Sequence, residues 1–218
     1  MPASTPSTDT TTTGETSSAD SVIQLYVGYL NRAPDPSGAA YWLGQQQGGM
    51  SVDQIAQAFS AQAEATGRNA FLANPDVTDT VALKAFVDGI YTNLFNRTAD
   101  AEGEAFWIGQ LQSGGSTIGG AVLNIMNGAQ GNDLATLANK VAVANYYGAQ
   151  IVDNHVQFSI DSARAAMAAV TSDPASVTAG RSVVDAYVKT APPATAEAAA
   201  SEAAVVGIST GHELVHLV

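Results

Sequence analysis

VIQLYVGYLNRAPDPSGAAYWLGQQQGG at residues 22–49 and VDGIYTNLFNRTADAEGEAFWIGQLQSG at residues 87–114 are two copies of one pattern, 65 positions apart. Val22/Val87, Tyr26/Tyr91, Asn31/Asn96, Arg32/Arg97, Asp35/Asp100, Gly38/Gly103, Ala40/Ala105, Trp42/Trp107, Gly44/Gly109, Gln45/Gln110, Gln47/Gln112 and Gly49/Gly114 match without a gap. A period longer than that of most solenoid repeats, in unbroken register, predicts duplicated helical modules packed side by side. The duplication tells how the chain is built and names no reaction.

Working outward, the first helix of each copy shows as an apolar stripe at three- and four-residue spacing. Its members are Val22, Leu25, Tyr26, Tyr29 and Leu30, then Val87, Ile90, Tyr91 and Leu94. Pro34 and Pro36 predict that the first stripe stops near Arg32. Asp35-Pro36 is a helix start, with a carboxylate at the N-cap and proline where no amide donor is needed. Asp100 caps the matching helix, and Gly48-Gly49 and Gly114-Gly115 end the two. Ser51 with Gln54 predicts a capping box opening a third helix with Ile55, Ala58 and Phe59 on its apolar face. Ser116 is expected to open its counterpart, with Val122, Ile125 and Met126.

A short helix is expected within 66–80, a long one from Asn132 or Asp133 to about Asp153, and two more over 159–171 and 174–190. The fold class is therefore all-α, with roughly nine or ten helices. Two tandem helical modules, 19–75 and 76–131, precede a C-terminal helical segment, 132–190. Residues 1–18 are rich in Ser and Thr, have no apolar periodicity and are expected to be disordered. Residues 191–218 combine a proline hinge with an Ala-rich helical tail, capped by Thr195 and running to about residue 206.

The chain of 218 residues is 46% hydrophobic, enough for a sizeable core, but only 13% charged, so Ser, Thr, Asn, Gln, Gly and Ala make most of its surface. Its net charge of −12 repels polyphosphates, which excludes nucleic acid as a partner. The same field favours cations or neutral polar ligands such as glycans. With no cysteine there are neither disulfides nor thiolate metal sites. The N-terminus lacks the basic start and apolar run of a secretory signal, and no segment is long and apolar enough to span a bilayer.

The shared string is Tyr-x4-Asn-Arg-x2-Asp-x2-Gly-x3-Trp-x-Gly-Gln, carried by LYVGYLNRAPDPSGAAYWLGQ and IYTNLFNRTADAEGEAFWIGQ. These residues resemble the bacterial domain of unknown function 4214 family, a resemblance that covers residues 20–130. It implies helical modules of exported proteins, among them surface-layer-like proteins and large type I secretion substrates. Some helical surface-layer regions anchor to cell-surface polysaccharide, and the family has no assigned catalytic residues to carry over.

Physically, the motif reads first as scaffold. Asp35 and Asp100 are N-caps, each worth about 1 kcal/mol. Trp42 and Trp107 are core anchors. Arg32 and Arg97 can lie across the turn against Asp35 and Asp100, and Asn31, Gly38, Asn96 and Gly103 complete the structural set. A functional alternative is a sugar platform, in which aromatic faces stack on pyranose rings while amides bond hydroxyls. Its candidates are Tyr29, Tyr41 and Gln45 in one copy and Phe106 and Gln110 in the other.

His212-Glu213-Leu214-Val215-His216 is an HExxH string. On a helix it places two imidazoles on one face for zinc and a glutamate, Glu213, to polarise a metal-bound water. A third ligand is missing downstream, where only Leu217 and Val218 follow, and His155, Glu197 and Glu202 are the upstream donors available. The string equally fits a fragment with an incomplete site, or a C-terminal export signal of the kind type I secretion substrates carry. Walker, dinucleotide-binding, GxSxG and EF-hand patterns are absent from the sequence.

The expectation is a non-enzymatic bacterial protein at the cell surface or outside the cell, exported without an N-terminal signal peptide. It would be of surface-layer or extracellular-matrix type, binding cell-surface polysaccharide or itself. No cofactor is expected, although calcium could support assembly through the acidic surface. The alternative is a zinc metallopeptidase, or a piece of one, acting through residues 212–216.

Overall fold

The first apolar stripe becomes helix α1 (Ser18–Leu30), and its counterpart becomes α6 (Thr80–Phe95). A computed structural model describes residues 18–195, and every structural statement concerns these residues. Val22, Leu25, Tyr26, Tyr29 and Leu30 are all buried, as are Val87, Ile90, Tyr91 and Leu94. Both helices stop one residue before an asparagine in the left-handed region, Asn31 at φ 49° and Asn96 at φ 58°. Asparagine tolerates that conformation better than other residues with a Cβ. No proline follows Asn96 closely, yet α6 stops at the equivalent place. The stop common to both copies is therefore the motif asparagine, and α1 ends before Arg32, short of the point the prolines predicted.

The second helices are α2 (Pro36–Gln47) and α7 (Ala101–Ser113), opened by Asp35 and Asp100, whose carboxylates accept the Gly38 and Gly103 amides at 2.7 and 2.8 Å. Helix α3 (Val52–Ser60) carries the expected Ser51–Gln54 capping box. Its counterpart α8 (Ala121–Asn127) starts five residues after Ser116, so Ser116 is not its cap. A turn at 117–120 intervenes because this segment meets the first module at backbone range. A Cβ on Gly119 would lie 2.6 Å from the Gln57 Cα, and the Gly119 carbonyl accepts the Tyr29 hydroxyl at 2.7 Å. The region between the copies holds two short helices rather than one, α4 (Ala63–Arg68) and α5 (Ala70–Ala73). Then come α9 (Gly131–Asp153), α10 (Ile160–Ala168) and α11 (Ala175–Val188). The described residues are thus all-α, with eleven helices.

One hydrophobic core runs from Val22 to Val184 through both copies and the C-terminal helices. Helices α1 and α6 pack on each other, and the Asn93 amide donates to the Gly28 carbonyl at 2.8 Å, joining positions that the repeat makes equivalent. Helix α9, about 34 Å long at 1.5 Å per residue, touches α1, α2, α6, α10 and α11. Midway along it, Lys140 is fully buried. Its ammonium donates to Asn31 Oδ1 at 3.5 Å, to Asn96 Oδ1 at 2.7 Å and to the Asn93 carbonyl. The left-handed asparagines of both copies thus converge on one cation, at the negative ends of two helices.

Burial pushes the Lys140 amine down from its ordinary 10.5 to about 7. The folded chain therefore holds fewer protons than the unfolded chain between those two values, and stability should rise with pH across that window. The slope should approach 1.4 kcal/mol per pH unit (about 2.3 RT). Urea denaturation of the wild type from pH 7 to 9 should show the rise, and Lys140→Met should flatten it. Equal slopes would remove Lys140 as the source.

Candidate functional site

The Asn-Arg-x2-Asp turn of the first copy is closed and dry. Arg32, 1% exposed, grips Glu64 of α4 through Nε at 3.0 Å and Nη2 at 2.6 Å, and reaches Asp35 Oδ1 at 3.3 Å. Its guanidinium lies 4.9 Å from the Tyr26 ring centroid and 5.2 Å from that of Phe158. Burial opposes the Arg32 charge, but the Glu64 hydrogen bonds and the attraction of Glu64 and Asp35 outweigh it, raising the pKa. Arg164 adds a second cation on Glu64 at 3.0 Å. Gly38 and Ser37 take the remaining oxygen of Asp35, so all four carboxylate oxygens of the cluster accept hydrogen bonds. A network this saturated holds the turn in shape and leaves no carboxylate oxygen idle to act as a base.

In the second copy Arg97 repeats the geometry in the open. It binds Asp133 at 2.6 and 3.0 Å, approaches Asp100 at 3.8 Å and lies 5.1 Å from the Tyr91 centroid. Its side chain is 42% exposed. The expected Arg-to-Asp contacts across the turn exist in both copies, but the shorter partners, Glu64 and Asp133, lie beyond the motif. The motif glycine sits beneath the motif tyrosine: a Cβ on Gly38 would fall 2.1 Å from the Tyr26 hydroxyl, and one on Gly103 3.1 Å from that of Tyr91.

Trp42 is buried as expected, against Phe59 at 5.6 Å between centroids. Trp107 is only half-buried, which corrects the expectation of two equivalent anchors. Position 124, the counterpart of Phe59, is asparagine, and its amide turns to Ser116 Oγ at 2.9 Å rather than covering the indole. The indole N–H of Trp107 donates to the Tyr91 hydroxyl at 3.1 Å.

Tyr29 is not a ligand-facing ring. It is buried, stacked on Phe59 at 5.6 Å, with its hydroxyl given to Gly119 and its pKa raised by burial. Tyr41 and Phe106 do face outward, 38% and 55% exposed. Each stands edge-on to its own tryptophan at 4.9 Å. Gln45 and Gln110, half-buried, follow one helical turn later, on the same face. Between ring and amide in each copy stands a repeated glycine, Gly44 or Gly109, with nothing within 4 Å of an added Cβ. No packing need accounts for these two glycines. The Gln110 side chain lies against Gly115, so the two ring-and-amide pairs are alike but not identical.

His212, Glu213 and His216 lie outside the described residues, as do Glu197 and Glu202 and the tail at 1–17. Among the described residues no group of three or more metal-ligating side chains comes together, and no helix is long and apolar enough to cross a membrane. Lys140, Glu64 and Asp133 do not stand out in the sequence as site residues. Lys140 carries a legible signal all the same, since it shares an apolar helix face with Leu137, Val141 and Ala144. Glu64 and Asp133 carry none.

The two arginines should differ sharply when removed. Breaking a buried, hydrogen-bonded pair costs about 3–5 kcal/mol, whereas an exposed pair is worth about 1 kcal/mol or less. Arg32→Ala should lose the larger amount in urea denaturation and Arg97→Ala the smaller. Similar losses would mean that the two turns carry equal load.

A profile of the family described as "Domain of unknown function (DUF4214)" matches residues 3–69 and again residues 68–130. No curated protein and no solved structure matches the chain. The two matched segments take in residues 3–130, more than half of the 218. The chain belongs to the DUF4214 family, as a tandem pair of its domains followed by further helices.

Proposed function

We propose that this chain is a non-enzymatic, exported scaffold of bacterial surface-layer or extracellular-matrix type, which contacts cell-surface polysaccharide through the outer faces of α2 and α7. The observation that carries this is the outward strip Tyr41–Gly44–Gln45 and its repeat Phe106–Gly109–Gln110. Other motif residues are taken up by the fold: Asn31 and Asn96 by the helix stops and Lys140, Arg32 and Arg97 by carboxylates, Gly38 and Gly103 by the tyrosines. In the outward strip, the repeated glycines Gly44 and Gly109 serve no visible packing. A glycine one turn from an exposed ring leaves the ring face uncovered, and an amide beside it can bond hydroxyl groups. Apolar faces rimmed by a few polar groups suit neutral polar ligands. The low-charge, acidic surface supports the same choice and disfavours polyphosphates.

The HELVH string sustains the zinc-peptidase alternative from sequence alone. Metal analysis separates the two: the scaffold should purify with far less than one zinc per chain, unchanged in His212→Ala. Near-stoichiometric zinc, lost in that variant together with peptide cleavage, would establish the alternative.

Retention on immobilised lipopolysaccharide or on a glycan array tests the main proposal. The wild type should bind, and the double variant Tyr41→Ala/Phe106→Ala should bind at least tenfold more weakly (about 1.4 kcal/mol) with little change in melting temperature. A wild type that binds no glycan and is strictly monomeric would overturn it.

A further inference from the structure

A small cleft opens at the seam between the two copies, where α1, the junction of α4 and α5, and α6 meet. Its volume is about 130 Å³, room for roughly four water molecules at about 30 Å³ each. Acidic residues outnumber basic ones 20 to 8 in the chain, yet no Asp or Glu lines this cleft. Arg68, Asn69 and Asn93 supply it with polar groups, and Leu72, Phe86 and Ile90 add apolar wall.

Arg68 is a cation whose ordinary partner has been taken. Glu64 stands one helical turn earlier on α4, at the spacing where a carboxylate and a guanidinium usually pair. Both Glu64 oxygens are held instead by Arg32, at 2.6 to 3.2 Å, and by Arg164 at 3.0 Å. Arg68 is exposed and makes no hydrogen bond or ion pair among the described residues. Its charge is felt nearby: burial, and next the repulsion of Arg68, hold the Arg164 guanidinium below its ordinary pKa.

The two amides beside it are each half used. Asn69 Oδ1 accepts the Phe71 amide at 3.1 Å, while Asn69 Nδ2 donates to nothing among the described residues. Asn93 Nδ2 donates to the Gly28 carbonyl at 2.8 Å, and its Oδ1 is left as an acceptor. Gly89 keeps the cleft open between them. A Cβ there would meet only Asn69 Nδ2, at 3.9 Å, so a side chain would fit without a clash. Glycine weakens a helix interior relative to alanine, and the first copy has Gln24 at the equivalent place. Neither packing nor the repeat requires this gap.

We propose that the seam cleft binds a carboxylate flanked by hydroxyl groups, the chemistry of a uronic acid, with Arg68 taking the carboxylate and Asn69 and Asn93 the hydroxyls. The planar fork of a guanidinium matches two carboxylate oxygens. One cation balances one negative charge, whereas a doubly charged phosphate or sulfate would remain repelled by the acidic chain. A free donor beside a free acceptor suits hydroxyls, which can play both parts. The site does not rest on the outward strip, since Tyr41 and Phe106 do not line it.

Calorimetric titration of the full chain tests this with D-galacturonate, D-galactose and inorganic phosphate. Galacturonate should bind at least tenfold more tightly than either of the others. Arg68→Ala should lose at least tenfold in galacturonate affinity with little change in melting temperature, because Arg68 is exposed. Gly89→Leu should lose as much by filling the cleft while keeping Arg68. Tyr41→Ala/Phe106→Ala should bind galacturonate like the wild type, whatever becomes of its polysaccharide contact. Binding of digalacturonate as well supports an acid at the end of a glycan chain, and binding of galacturonate alone supports a free acid. Equal affinity for galactose, tighter binding of phosphate, full affinity in Arg68→Ala, or no binding by the wild type would each overturn the proposal.

Discussion

A buried ammonium ion is expensive unless each of its three N–H groups finds an acceptor. Lys140 finds them on two helices from different copies of the repeat, and no single helix could supply all three. Asn31 and Asn96 bring their amide oxygens to that point because each also terminates its helix in the left-handed region. Glycine would adopt the backbone conformation but offer no side-chain oxygen, and most other residues would resist the conformation. Asparagine meets both demands. Through this contact the ends of α1 and α6 and the middle of α9 are held in mutual register, and the packing of α10 and α11 on α9 follows.

The duplication has been put to unequal use. The same turn sits dry in the first copy, roofed by Phe158 and braced by Glu64 and Arg164, and lies half in water in the second. The same indole is sealed by Phe59 in one place and left partly open in the other, where Asn124 stands. The α4 carboxylate of the first copy, Glu64, has Ala129 at its equivalent position, and Asp133 at the start of α9 takes over its role in the second. What persists is the requirement that a motif arginine meet a carboxylate. Which helix provides it differs.

Much of the fold is legible in the chain because the signals are local. Asp35 followed by proline, the Ser51–Gln54 box and the apolar stripes of α1 and α6 all act within a few residues of themselves. Sequence reading fails where distant contacts decide. Ser116 has a capping residue's chemistry, but the approach of Gly119 to the Gln57 backbone imposes a turn before α8. Tyr29 has the look of a platform residue, and only the position of Gly119, 90 residues away, shows that its hydroxyl is engaged inside. Of the candidate site, Tyr41, Gln45, Phe106 and Gln110 follow from spacing alone, whereas the arginine partners Glu64 and Asp133 depend on packing between helices that no periodicity reveals.

The hydroxyl of Tyr29 crossing to Gly119, together with the Asn93–Gly28 bond, means that each repeat finishes its interior with material from the other. The unit that was copied is therefore smaller than the unit that folds. The stretch at 74–79 joining the copies is largely exposed and enters little of this exchange. Opening the backbone there would leave two pieces whose bare faces are each other's complement, held together by surface fit and no longer by covalent continuity.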